Sequence, residues 1–343
     1  MIIVSSPGKA HLAGEHAVVY GEPAIIATID LRTKVMCEKS ATIRYIDKRF
    51  SSDSTWSIKE VIQAKENSID LWKTCFRIKD FTELFNFIKI NDYENYKKSI
   101  IGIILDKIKT KEGLTVTIDS DIPVGSGLAS SASLAVALVK GISELHSKVL
   151  SLDEINNTAL EIENIIHGTP SGGDNSACCY GGLVWFQKSK PTNIIMPLIK
   201  EVPYKLENFL IVYTKPPDKT TGELVQKIRN LEVNYRNERI KKIGRLVNDL
   251  RDVLIERDFT RMKEIINENQ RLLSEMGVSC QEIDKVANAV RNIGGAAKLS
   301  GGGGGGAMLC FHEDKQKLVQ TIKSLGYRFW DVKLAVEGVR VEK

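Results

Sequence analysis

No apolar run in this chain of 343 residues approaches the roughly 20 residues that a membrane-spanning helix needs. Met1-Ile2-Ile3-Val4 is apolar for only a few residues and has no basic stretch before it, so a secretory leader is not expected. Basic residues are scattered, never gathered in runs, and the net charge is only +5, which argues against a nucleic-acid partner. None of the six cysteines (Cys37, Cys75, Cys178, Cys179, Cys280, Cys310) stands in a C-x-x-C pair. Cys178 and Cys179 are adjacent, too constrained for an ordinary disulfide with each other. Reduced buried thiols and a cytoplasmic setting are therefore expected. The five histidines (His11, His16, His146, His167, His312) show no H-E-x-x-H or comparable metal spacing. Two phosphate signatures are also missing. No Lys follows the glycines in G-x-x-x-x-G-K-[ST] order, and the third Gly of G-x-G-x-x-G is absent.

What remains is the composition of a globular protein, 43% hydrophobic and 27% charged, long enough for two cores. One stretch organises it: Asp121-Ile122-Pro123-Val124-Gly125-Ser126-Gly127-Leu128-Ala129-Ser130-Ser131-Ala132-Ser133. Before it, Leu114, Val116 and Ile118 alternate with polar residues, the period of a half-buried strand. After it, Leu134 to Leu145 reads as an apolar helix. A strand thus feeds a Gly/Ser turn, and the turn feeds a helix N-terminus. The first helical N–H groups lack intrahelical partners and carry partial positive charge, so the geometry suits an anion. Gly125 and Gly127 let a phosphate approach the backbone. Ser130 and Ser131 can cap the helix or ligate Mg2+. Taken alone, the stretch reads equally as an ordinary Gly turn with a Ser cap.

Elsewhere, Ile2 to Val4 reads as a strand ending in a Ser5–Lys9 turn, followed by loop to Pro23. Ala24 to Ile29 and Thr33 to Glu38 read as two strands. Residues 40–100 show surface helices, a turn at Ser51 to Ser54 and no chemistry that can be named. Tyr96 to Ile108 forms a helix leading to the strand at Leu114. Ser151-Leu152-Asp153-Glu154 and Ser279-Cys280-Gln281-Glu282 each have the form of a capping box. Pro191 to Pro203 shifts in composition and reads as a link between domains 1–190 and 191–343. Helices are expected over 221–231, 234–256, 259–275 and 314–325. The run Gly301–Gly306 lies between two apolar strand patterns, so a tight turn is expected there instead of a flexible linker.

Asp174 lies in a Gly/Pro/Ser loop, where a carboxylate can take a proton from a hydroxyl or simply close an Asx turn. Lys9 follows Pro7-Gly8 and alone would read as a surface charge. Glu163 sits one helical turn before His167 and can offer Mg2+ a carboxylate beside Ser131, or be a solvated helix residue. Glu15 and His16 can bind substrate or tie down their loop.

Taken together, Ser6-Pro7-Gly8-Lys9 through Gly14-Glu15-His16, Pro123 to Ser133, and Lys298-Leu299-Ser300-Gly301 to Gly306 resemble the galactokinase/homoserine kinase/mevalonate kinase/phosphomevalonate kinase (GHMP) family. Gly14 to Gly21 and His167-Gly168-Thr169-Pro170-Ser171-Gly172-Gly173-Asp174-Asn175 are similar to its mevalonate-phosphorylating branch. The resemblance implies an α+β two-domain fold. Its parts are an N-terminal ribosomal-protein-S5-domain-2-like α/β domain and a C-terminal ferredoxin-like α+β domain, with ATP and substrate between them. It implies ATP-dependent phosphorylation of mevalonate on its primary hydroxyl, with a phosphomevalonate or sugar kinase, or a non-catalytic ligand-binding homologue, as alternatives. By matching motif positions, Asp174 would be the base and Lys9 would stabilise the alkoxide and keep Asp174 ionised. Pro123, Gly125, Ser126, Gly127, Leu128, Ala129, Ser130 and Ser131 would cradle the ATP phosphates. Ser131 and Glu163 would hold Mg2+, and Glu15, His16 and Thr221 would face the substrate, with Thr220 an alternative to Thr221. No membrane or nucleic-acid partner is implied, and a homodimer stays open. Three departures stand out: Ala129 where Gly is usual, Gly173 where a larger apolar residue is common, and Gly302 and Gly306 where Ala and Cys are frequent.

Overall fold

Alternating apolar residues lay down twelve strands in one mixed sheet, in a computed structural model that describes residues 1–342. The spine is β2 (Pro23–Ser40), against which β1 (Ile2–Ala13), β5 (Gly113–Ser120), β6 (Leu183–Gln187) and β11 (Arg328–Leu334) all pair. Beyond β5 come β3 (Ile43–Asp47) and β4 (Ser52–Trp56). Beyond β11 come β8 (Leu206–Tyr213), β10 (Ala307–Phe311) and β9 (Ala296–Leu299). Off that path, β7 (Ile194–Pro197) pairs with β6, and β12 (Arg340–Val341) pairs with β1.

Helices of the first half cover the β2–β5–β3 face. They are α1 (Ile58–Ile78), α2 (Thr82–Ile108, broken at Ile90–Tyr93), α3 (Ser130–Leu145), α4 (Leu152–His167) and α5 (Gly173–Tyr180). Val35, Tyr45, Val116 and Ile118 meet Ile100, Ile104, Leu134 and Leu138 in one buried cluster. The second half carries α6 (Thr221–Arg229), α7 (Val233–Glu256), α8 (Phe259–Glu275), α9 (Gln281–Asn292) and α10 (Lys315–Ser324). Here β8 is buried on both faces, as its unbroken apolar run requires. Phe209 and Ile211 enter one cluster with α7 and α8, while Leu210 and Val212 enter another with α6, α9 and α10.

Four local features differ from the sequence expectation. Pro7-Gly8 lies paired inside β1 and is not a turn; the register shift there is a bulge carried by the opposite strand, β2. That shift leaves Asp30 and Leu31 unpaired, so the two expected strands are halves of one. Ser52 to Ser54 belong to β4, which pairs with β3 across a turn at 48–51. Ser279 does not cap α9; its hydroxyl donates to Asp284 at 2.6 Å, and Cys280 stands at the N-cap without a side-chain bond. The box at Ser151 does form, as do unforeseen ones at Ser57 and Thr220.

A buried ion pair ties the segment after β1 to β9. Lys298 has no exposed surface and Glu15 is 3% exposed. The Lys298 ammonium donates to Glu15 Oε1, to the His11 carbonyl at 3.2 Å and to the Leu299 carbonyl at 2.7 Å. Burial pushes the Glu15 carboxyl up and the Lys298 amine down, and their mutual attraction opposes both shifts. Removing one partner would strand the other charge in the interior. Lys298→Met is therefore expected to cost about 3–5 kcal/mol in urea unfolding, and adding Glu15→Gln to recover most of it. A single variant as stable as its parent would show that the pair contributes nothing.

Candidate active site

The Gly/Ser turn between β5 and α3 takes the expected form. Gly125, Gly127 and Ala129 alternate as left-handed residues at φ 72°, 79° and 62°. Pro123 accepts from the Ser126 hydroxyl at 2.6 Å, which turns Ser126 inward, and Leu128 is anchored in the core. Ala129 forms the N-cap of α3, a non-glycine held where a Cβ costs about 1–2 kcal/mol. Its methyl packs into the N-terminal core, so the backbone keeps a glycine-like path and helix geometry is preserved at Ser130 and Ser131.

This turn is docked on β1. The Lys9 amide donates to the Leu128 carbonyl at 3.1 Å. A Cβ on Gly8 would stand 2.9 Å from that same oxygen, so the close approach requires glycine. The Ser133 hydroxyl donates to the Ser6 carbonyl at 2.8 Å. Lys9 thereby enters the turn from the side: it is 3% exposed and donates to the Gly127 carbonyl at 3.0 Å.

Asp174 comes from the first turn of α5, and its Oδ1 lies 3.1 Å from the Lys9 ammonium. Its side chain is 39% exposed, so the pair is buried on the lysine side and open on the carboxylate side. Ahead of it, a Cβ on Gly173 would meet Ile26 Cδ1 at 2.8 Å. Ile26 and Phe186 thus fill the volume that a larger residue at 173 would need.

Glu163, on the last turns of α4, reaches the start of α3. The Ser131 hydroxyl donates to Glu163 Oε2 at 3.2 Å and lies 3.1 Å from His167 Nε2. Glu163 Oε1 is buried without a hydrogen-bond partner. Burial, and after it the Asp174 carboxylate, push the Glu163 carboxyl up to about 8. A cation between Glu163 and Ser131 would reverse that shift and give Oε1 a partner. The pair therefore fits Mg2+, a hard cation bound through one or two protein oxygens with phosphates completing its shell. Among the described residues no cluster of three or more His, Cys, Asp or Glu side chains could hold a metal by itself.

The expected substrate residues divide. His16 Nε2 donates to the Gly302 carbonyl at 2.8 Å. Thr221 lies against the same glycine, where an added Cβ would meet its Oγ1 at 2.8 Å. The neighbouring Thr220 is committed as the N-cap of α6, which leaves Thr221 the free hydroxyl of the two. Glu15 is turned into the protein onto Lys298 instead of towards open space.

Two contributors were not visible in sequence. Arg49, in the turn after β3, clasps buried Asp47 with Nε and Nη2 at 2.9 and 2.6 Å. Its Nη1 donates to Ser130 Oγ at 3.3 Å. The signal was the alternation Ile43, Tyr45, Asp47, which puts a carboxylate on a buried face where it needs a cation. His11 lies beside Lys9, with Nδ1 3.4 Å from the ammonium. Reading β1 as ending at Val4 hid that Lys9 and His11 share a strand face.

Comparison with known proteins bears on the chain and its fold as a whole. The family model for the GHMP kinase N-terminal domain matches residues 95–182, and the model for the C-terminal domain matches 250–330. The mevalonate kinase of Thermococcus sibiricus is 32% identical, covering 99% of this chain and 98% of that protein. The mevalonate kinase of Schizosaccharomyces pombe is 29% identical, covering 99% and 91%. The crystal structure of the Methanococcus jannaschii mevalonate kinase superposes with a TM-score of 0.81 at 26% identity, covering 98% of both chains. Two family models matched in order, and relatives above 30% identity along their whole length, establish that the chain belongs to the GHMP kinase family.

Proposed function

We propose that this chain is an ATP-dependent kinase that phosphorylates the primary hydroxyl of mevalonate to give 5-phosphomevalonate. The observation that carries this reading is the Lys9–Asp174 pair, 3.1 Å apart, with the same ammonium 3.0 Å from the glycine turn. A base and a cation for an alkoxide thus stand beside a backbone suited to phosphates.

The chemistry asks little covalent work of the protein. Asp174 takes the proton of the attacking hydroxyl, and Lys9 balances charge growing on that oxygen. The new bond runs from this oxygen to the γ-phosphorus, and the bond to the bridging oxygen breaks, releasing ADP. The N–H groups at the start of α3, with the turn from Pro123 to Ser131, receive the phosphate oxygens. Ser131 and Glu163 would hold Mg2+, which when bound neutralises phosphate charge. His16, bonded to the Gly302 carbonyl, and Thr221, packed against the same glycine, would face the acceptor. All six cysteines are free, which suits a cytoplasmic setting, and among the described residues no helix is long and apolar enough to cross a membrane.

A panel of acceptor alcohols with ATP tests the assignment: mevalonate should be turned over, and phosphomevalonate and sugars should not. Asp174→Asn is expected to lower kcat by about 10²–10⁴-fold while nucleotide affinity stays near the parent value. Full turnover in that variant would remove Asp174 as the base. Glu163→Gln should raise the Mg2+ concentration needed for half-maximal rate, and an unchanged Mg2+ titration would count against a ligand role for Glu163.

A further inference from the structure

A buried ammonium needs an acceptor for each of its three N–H groups. Lys9 is buried, and Asp174 and the Gly127 carbonyl account for two of them. The third polar atom near the ammonium is His11 Nδ1, at 3.4 Å. That is long for a hydrogen bond, as such contacts often are before ligands close a site. The strand period explains the placement, because residues two apart in β1 point to the same face.

The chemistry fixes the tautomer. An ammonium only donates, so Nδ1 must offer a lone pair, and a neutral ring then carries its proton on Nε2. The charged and titratable groups facing the ring are Lys9, Lys298 and His16. The nearby carboxylates are already engaged, Asp174 by Lys9 and Glu15 by Lys298. Burial, then the two lysines and His16, hold the imidazole well below its usual range, so it stays neutral. The backbone is fixed as well: the His11 amide donates to Ser300 Oγ at 3.0 Å, and its carbonyl accepts from Lys298.

We propose that His11 is a positioning residue whose neutral ring completes the acceptor shell of Lys9 through Nδ1 and so fixes the ammonium between Asp174 and the glycine turn. The inference rests on the role proposed above for Lys9. Without the third acceptor one N–H is left unpaired and the ammonium can swing away; with it, the N–H that Asp174 releases on taking the hydroxyl proton is the one that turns to the developing alkoxide.

Two measurements test this. In steady-state kinetics, His11→Leu is expected to lower kcat by about 10- to 100-fold, the scale of a small misplacement of a catalytic group, with KM for ATP little changed. His11→Asn, which can offer an amide oxygen near the place of Nδ1, should recover most of the loss. Should the Leu variant not fold, His11→Met gives the same contrast. Parental kcat in the apolar variant, or an Asn variant equally slow at equal Tm, overturns the proposal. The second measurement is ¹⁵N NMR of the ring in the resting protein. It should show bare Nδ1 and protonated Nε2 from about pH 6 to 8, with the Nδ1 signal moving in Lys9→Met. A protonated Nδ1 overturns the proposal. Because this readout needs no turnover, a chain inactive on mevalonate would sink the functional reading and still leave His11 to be judged by its ring.

Discussion

The Lys9 ammonium has almost no contact with solvent, and such a group survives as a charge only where acceptors surround it. Its acceptors come from far apart in sequence: Asp174 at the start of α5, Gly127 in the turn before α3, and His11 on its own strand. Satisfying one buried cation thus draws three elements to one point. The fold around it reads as the means of meeting that demand. Gly8 lets β1 lie against Leu128, and Ser133 fixes α3 to Ser6. A short α5 then delivers a carboxylate open to the exterior on its far side.

Much of this was legible in the chain. The strand–turn–helix at 114–145, the strands on either side of Gly301–Gly306 and the helices from 221 onward all lie where periodicity placed them. What escaped had a common physical cause, namely local signals overruled by pairing at a distance. Pro7-Gly8 has the chemistry of a turn, but pairing with β2 keeps it in the strand while β2 takes up the irregularity as a bulge. Ser279 has the spacing of a cap, but Asp284 offers its hydroxyl another partner. The β3–β4 hairpin is short and polar on one face, so the alternation Ile43, Tyr45, Asp47 is its one local mark, and Arg49 goes unnoticed with it. Motif reading found Lys9 and Asp174 without finding all their surroundings, because His11 carries no motif meaning until the strand register is known and Lys298 reads only as the start of the run before the glycines.

Two of the departures from the family pattern, Gly173 and Gly302, are met by a neighbour. Ile26 fills the space before Asp174, and Thr221 occupies the space beside Gly302. Ala129 keeps the left-handed conformation of a glycine and uses its methyl in the core. At Gly173 and Gly302 the volume a larger residue would need is already filled within this chain.

β1 also has a partner that arrives late. Val4 and Ser5 pair with Val341 and Arg340, and Lys298 closes on the His11 carbonyl and Glu15. The strand that bears Lys9 thus draws partners from some three hundred residues further along the chain. Without β12 the Val4–Ser5 end of β1, paired with β2 on one side, would be an open edge. Closing that edge is a contact of high sequence separation, so it is expected to form later in folding than the local pairing of β1 with β2.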